Sequence, residues 1–285
     1  MKPNNQFSNR SLAFWAHARL ISEKLNYSKN GLVKKYTLHE VENKLTELGI
    51  VIDLLLLKDV LEYLDHRATL LNESVKNMLM NAHTAREQFE NLHSFYLENN
   101  FTCHLPLNKQ KGEKREIAYY TAIVNILAEK TLREYASKHT LIYGEEIKFN
   151  DNPLSLTYFT DSNGKLQAIM SRRFDGALPE TINPLAIWEI KEYYYTTTFG
   201  SRIADGVYET QLDGYEAETI SRETEKNVKH IYFIDDFNTW WNMGKSYLCR
   251  IIDMLHMGLV DEVIFGKEVI ERWPTLITEI LSMKT

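Results

Sequence analysis

The sequence predicts an α/β fold: a mixed sheet flanked by helices and preceded by an N-terminal helical region. Three observations predict it. The first half of the chain carries apolar residues almost wholly at helical spacing. From Leu141 the pattern changes to short β-rich runs alternating with helices, which describes a mixed sheet. Within that second half, Leu185, Ile187 and Ile190 make the stretch Leu185–Tyr193 apolar on both faces, the mark of a central strand. The domain reading that follows is a helical region over residues 1–108 and an α/β domain over residues 109–285.

In the helical half, Leu12, Trp15, Ala16, Arg19 and Leu20 set the spacing of a helix over 11–24, and 26–31 breaks it. Thr37 opens the next helix with Glu40 three residues later, a capping-box pattern, and Gly49 closes it. Further helices are expected over 52–69 and 73–98. The 37–48 helix could serve in a helix-turn-helix, although a packing bundle accounts for the same periodicity. Residues 108–115 form a polar break carrying Lys109, Lys111, Lys114 and Arg115, readable as a linker or as a phosphate-contacting loop. A helix follows over 116–138, with Ile117, Val124, Leu127 and Leu132 as its apolar stripe.

In the second half, 154–160 and 165–172 read as two strands joined by the turn signal Asp161-Ser162-Asn163-Gly164. Asp175 comes next, Gly176–Pro184 reads as a loop with two prolines, and Leu185–Tyr193 is the central strand. A helix is expected over 201–216, with Arg202, Asp205 and Glu209 along one side. Arg202, near the end of the central strand, is placed either to meet a phosphate or to pair with Asp205. A strand over 230–235, a helix over 240–257, a strand over 260–265 and a helix over 267–281 complete the chain.

The chemistry concentrates at Phe174-Asp175-Gly176 and Trp188-Glu189-Ile190-Lys191. Two-residue spacing puts Glu189 and Lys191 on one face of a strand, with Ile190 on the other. Charged groups at the end of a buried strand are costly unless paired or bound to a metal. Glu-x-Lys also occurs at Glu42-Asn43-Lys44, inside a helical pattern, and at Glu146-Ile147-Lys148, whose nearest upstream aspartate is Asp65. Only Glu189 combines a strand setting with an aspartate, Asp175, fourteen positions upstream, a gap that fits a strand, a loop and a return strand.

Asp175, Glu189 and Lys191, with the order of elements around them, resemble the PD-(D/E)XK nuclease superfamily, the restriction-endonuclease-like fold. The resemblance covers about the last half of the chain, and Phe174 stands where the family name has proline. It implies a Mg²⁺-dependent endodeoxyribonuclease, with Mn²⁺ able to substitute. Asp175, Glu189 and the Ile190 carbonyl would hold the ion, and Lys191 would act on the attacking water and the phosphorane charge. It also implies a further acid from the preceding helix, for which Glu129 and Glu134 are the candidates. DNA is the expected partner, with Lys109, Lys111, Lys114, Arg115 and Arg202 as candidate contacts. Restriction or another defence against foreign DNA is the expected setting, with a homodimer and a methyltransferase or defence-system subunit as expected associates. The alternative from another class is a catalytically inactive copy of the fold, acting as a DNA-binding or scaffolding subunit.

Composition narrows the field. The 285 residues are 44% hydrophobic and 25% charged, as in a globular protein that needs no membrane. The net charge of −6 excludes a generally basic nucleic-acid coat while allowing local basic patches. Cys103 and Cys249 cannot build a zinc site or a disulfide framework, so a reducing, cytoplasmic setting is expected. Residues 1–10 are polar and lack the apolar core of a signal peptide. Gly244-Lys245-Ser246 lacks the earlier glycine of a phosphate-binding loop and reads as mid-helix. Asp235-Asp236 ends a strand and could bind a metal, but reads more simply as a strand exit and helix cap, and Tyr193-Tyr194-Tyr195 reads as strand aromatics that could also stack on bases.

Overall fold

The computed structural model describes residues 1–108, 116–224 and 226–283. The N-terminal part holds α1 (Leu12–Lys24), a small hairpin of β1 (Ser28–Lys29) and β2 (Leu32–Val33), α2 (Leu38–Glu47) and α3 (Leu54–Thr69). Ser11, Thr37 and Asp53 cap the three helices with their side-chain oxygens. Their facing stripes make one apolar cluster around Phe14, Trp15, Val41, Leu57 and Tyr63. Glu40 does not reach back to close a capping box; it pairs with Lys34 at 3.0 Å.

The continuous helix expected over 73–98 is instead broken. A π-helical turn (Leu70–Val75) runs into α4 (Lys76–Met78), and α5 (Ala82–Glu98) starts afresh. The break has a cause in the far half of the chain: the Met80 amide donates to Asp235 Oδ1 at 2.8 Å, and Asn81 caps α5. A tertiary bond thus takes an amide that a continuous helix would use.

Next come α6 (Tyr119–His139) and a separate antiparallel pair, β3 (Tyr158–Thr160) with β4 (Leu166–Ile169). Its turn is held by Asp161 Oδ1, which accepts from the amides of Asn163 and Lys165. The main sheet has the order β5 (Gly176–Leu178), β6 (Ala186–Glu192), β7 (Lys229–Asp235), β8 (Glu262–Phe265). β5 runs antiparallel to β6; β6, β7 and β8 are parallel, with α7 (Ser201–Thr224) and α8 (Lys245–His256) as crossovers. α9 (Val269–Ser282) carries Pro274 in its second turn. The fold is therefore a mixed sheet flanked by helices. Among the described residues no helix is long and apolar enough to cross a membrane.

The side chains of β6 and β7 divide the core by alternation. Trp188, Ile190, Ile231 and Phe233 pack with α5, α6 and α9. Tyr232 and Ile234 face the other way, with α7 and α8. Glu189 is in register with Tyr232, and Lys191 with Ile234, so both belong to the α7–α8 face.

Two sequence expectations change here. The strand expected over 165–172 ends at Ile169, and Asp175 stands at the entrance of β5, in a stretch that reads as a loop. Gly176 explains the pairing: a Cβ there would lie 2.1 Å from Trp188 Cε2, so only glycine lets β5 close over the indole. The helix expected over 240–257 is also divided. A π-helical segment (Asn238–Met243) precedes α8, and Gly244-Lys245-Ser246 opens α8 instead of lying inside it.

Candidate active site

Asp175 and Glu189 meet because β5 and β6 are paired. Gly176 is opposite Trp188, and the Asp175 amide donates to the Trp188 carbonyl at 3.0 Å. Asp175 thus stands just beyond the paired residues of β5, near enough to Glu189 for its charge to act on that carboxyl. β5 supplies no residue opposite Ile190, whose amide is met instead by Asp175 Oδ2 at 2.8 Å. In an antiparallel strand the N–H and C=O of one residue turn to the same neighbour, so the Ile190 carbonyl also faces the Asp175 side. Among the described residues Asp175 Oδ1 takes no hydrogen bond.

Glu189 is enclosed, its side chain 6% exposed. Its Oε1 accepts from Lys191 Nζ at 2.5 Å. Arg172, absent from the sequence-derived site, adds a guanidinium. Its Nη1 donates to Glu189 Oε2 at 3.3 Å, while Nη2 lies 2.9 Å from Oε1 but off the hydrogen-bonding direction and makes no hydrogen bond among the described residues. On its other side, Arg172 Nε donates to Asp213 of α7 at 3.1 Å. Asp213 was also missed. The signal for it was the acid stripe Asp205, Glu209, Asp213 at four-residue spacing, which puts three carboxylates along one side of a helix. For Arg172 the only sequence signal was its place three residues before Asp175.

α7 packs on Lys191 at Gly206, where a Cβ would lie 3.0 Å from Lys191 Cε. The helix therefore roofs the lysine and confines it toward Glu189. Burial pushes the Glu189 carboxyl up to about 7, with the Asp175 charge adding to the rise and Lys191 and Arg172 opposing it. Burial also raises Asp213 to about 6 against the pull of Arg172. When ionised, Asp175, Glu189 and Asp213 carry three negative charges against two positive ones on Arg172 and Lys191, so the site keeps a net negative charge.

The remaining sequence candidates lie elsewhere. Glu129 is on the opposite side of the sheet, where its carboxylate accepts from the Thr102 and Cys103 amides and pairs with Arg133. It pins residues 102–103. It also lies about 12 Å along α6 from Thr121, whose amide caps onto Glu192 of β6. Glu134 is exposed on α6, so neither helix acid joins the Asp175–Glu189 pair. Arg202 is exposed at the start of α7 and makes no ion pair with Asp205 among the described residues. Lys109, Lys111, Lys114 and Arg115 lie outside the described residues. Asp236 caps the turn after β7 through the Thr239 and Asn238 amides. Tyr194 donates to Asp235, and Tyr193 packs on Trp240.

Beyond β7 lies a cationic patch that sequence reasoning did not single out. Lys76 Nζ and Lys245 Nζ lie 5.5 and 4.9 Å from the centre of the Trp241 ring. Neither lysine has a carboxylate partner among the described residues. Burial first, and the Lys76 charge second, hold the Lys245 ammonium below the ordinary lysine value.

A divalent ion fits this donor set in kind. Mg²⁺ is commonly held by one or two carboxylates plus water and substrate phosphate, and Asp175 and Glu189 supply the two. The guanidinium of Arg172 already stands against Glu189 as a cation. Among the described residues no group of three or more His, Cys, Asp and Glu side chains is placed to hold a metal.

No curated protein and no solved structure matches the chain. Residues 1–74 match the family model described as Domain of unknown function (DUF7690). Residues 80–280, most of the chain and all of the main sheet, match the model described as Domain of unknown function (DUF7687), and the chain belongs to that family.

Proposed function

We propose that the protein is a metal-dependent nuclease of the PD-(D/E)XK type that hydrolyses phosphodiester bonds in DNA. The observation that carries this reading is that Asp175 accepts from the Ile190 amide at 2.8 Å, beside Glu189 of β6, with Lys191 next along the Glu189 face. The order antiparallel pair, helical crossover, parallel strand then follows. Asp175, Glu189 and the Ile190 carbonyl are the groups that would hold Mg²⁺ or Mn²⁺. Bound there, the ion would polarise the phosphate and acidify a water.

The chain's own part is positional and electrostatic. Asp175 is fixed by the Ile190 amide, so its free oxygen faces a set direction. Glu189 fixes Lys191, and Gly206 keeps α7 close above it. The Lys191 ammonium is thereby preorganised to stabilise negative charge growing on the phosphate, which costs no reorganisation during the reaction. Lys76 and Lys245, neither paired with a carboxylate among the described residues, give the acidic chain a pair of cations for a phosphate backbone.

A second reading is a DNA-binding or scaffolding subunit without catalysis. What favours it is that Lys191 and Arg172 already neutralise Glu189. Incubating the protein with plasmid in Mg²⁺ and in EDTA separates the two readings: ion-dependent cleavage supports the nuclease.

A further inference from the structure

Arg172 touches two carboxylates on different elements, and the two contacts are unequal. Its Nε donates to Asp213 at 3.1 Å with hydrogen-bonding geometry. Toward Glu189 it has one long bond of 3.3 Å and one close but misdirected approach of 2.9 Å, which leaves Nη2 buried and, among the described residues, without a hydrogen bond. Asp213 is 2% exposed and rooted in a long helix, and the segment carrying Arg172 is tied to the same helix again through the Ser171 amide, which donates to Glu216 at 3.0 Å. The Asp213 end is the anchor, and the Glu189 end is the one built to let go.

We propose that Arg172 is a resident counter-cation that competes with a divalent ion for Glu189 and so sets the metal affinity of the site. The inference rests on the metal-dependent reading above. Without an ion, the guanidinium offsets part of the negative charge of the two strand carboxylates and Glu189 keeps a partner in its buried position. When a divalent ion takes Glu189, the site gains two positive charges, and a guanidinium pressed on the same carboxylate becomes repulsive. Arg172 then gives up its weak contacts and stays on Asp213. Lys191 differs, because its 2.5 Å bond to Glu189 is short and direct and α7 leaves it little room to withdraw.

The test is calorimetric titration of Mn²⁺ into the purified protein at pH 8.5, without DNA, so that the readout is ion binding and not cleavage. Arg172→Gln keeps a donor for Asp213 but removes the charge. A full charge within hydrogen-bonding distance shifts a carboxylate's proton affinity by one to three decades, so Mn²⁺ should bind Arg172→Gln about tenfold more tightly. Asp213→Asn weakens the anchor and leaves Arg172 to Glu189, so Mn²⁺ should bind it several-fold more weakly. Opposite shifts support competition, because mere loosening of the fold would weaken both variants. Circular dichroism checks that each is folded. If wild-type protein binds Mn²⁺ and Arg172→Gln binds it no more tightly, the competition is overturned and the metal reading stands. If neither wild-type protein nor Arg172→Gln binds the ion, the metal reading itself is overturned.

Discussion

Asp175 Oδ2 accepts from the Ile190 amide at 2.8 Å, next to Glu189, where Gly176 lets β5 close over the Trp188 indole. The catalytic reading depends on this relationship, which is a product of strand register. A one-residue slip of β5 would carry Asp175 to the other face and separate the pair.

Lys191 depends on a second close approach. A methyl group on Gly206 would press on Lys191 Cε at 3.0 Å, tighter than ordinary contact, and the flexible lysine is the partner that must yield. Gly206→Ala should therefore lower cleavage by about tenfold or more through misplacement of the ammonium. The fold should stay as stable or become more so, since alanine is favoured over glycine in a helix by about 1 kcal/mol. Cleavage rates set beside thermal unfolding check this; unchanged cleavage would mean that α7 does not position Lys191.

Much of this was legible in the sequence, and the limits have physical causes. The acid–lysine pair of β6 was readable because it needs only strand periodicity and apolar neighbours. The β5 strand was not, because three residues that begin with glycine and run into proline carry no periodic signal; its partner strand defines it. The break between α4 and α5 was hidden for a similar reason, since Asp235 imposes it from 155 positions away. Arg172 and Asp213 join the site only through the packing of α7 over the sheet. Glu129 has the residue type and helix expected of an additional acid, but it faces the loop at Thr102.

Asp235 offers a test through pH. It is fully buried, and burial lifts its carboxyl to about 7, against the donors Tyr194 and the Met80 amide. Its folded pKa thus exceeds the ordinary aspartate value, so between about pH 4 and pH 7 the folded state holds a proton that the unfolded state has lost. Its contribution to stability falls as pH rises through that window, by at most about 1.4 kcal/mol per pH unit. Asp235→Asn removes this slope. Measured by urea unfolding, the variant should gain on wild type between pH 5 and pH 7.5; a constant difference would show that Asp235 is ionised throughout.

The surface at Trp241 should report on DNA itself. If Lys76 and Lys245 each neutralise a phosphate, changing both to alanine should reduce the slope of log affinity against log salt by about 1.8. Fluorescence anisotropy with a short duplex in EDTA gives this slope without cleavage. An unchanged slope would place the DNA path elsewhere.

The most direct measurement is supercoiled plasmid incubated with Mg²⁺ and either wild-type protein or Lys191→Ala, with EDTA controls. Wild-type protein should nick or linearise the plasmid only when the ion is present. Lys191→Ala should remain folded and bind DNA, with its rate down by about 10²–10³, the usual cost of losing a preorganised transition-state charge contact. Cleavage by Lys191→Ala at the wild-type rate would contradict the account and leave Glu189 and Lys191 as a structural ion pair.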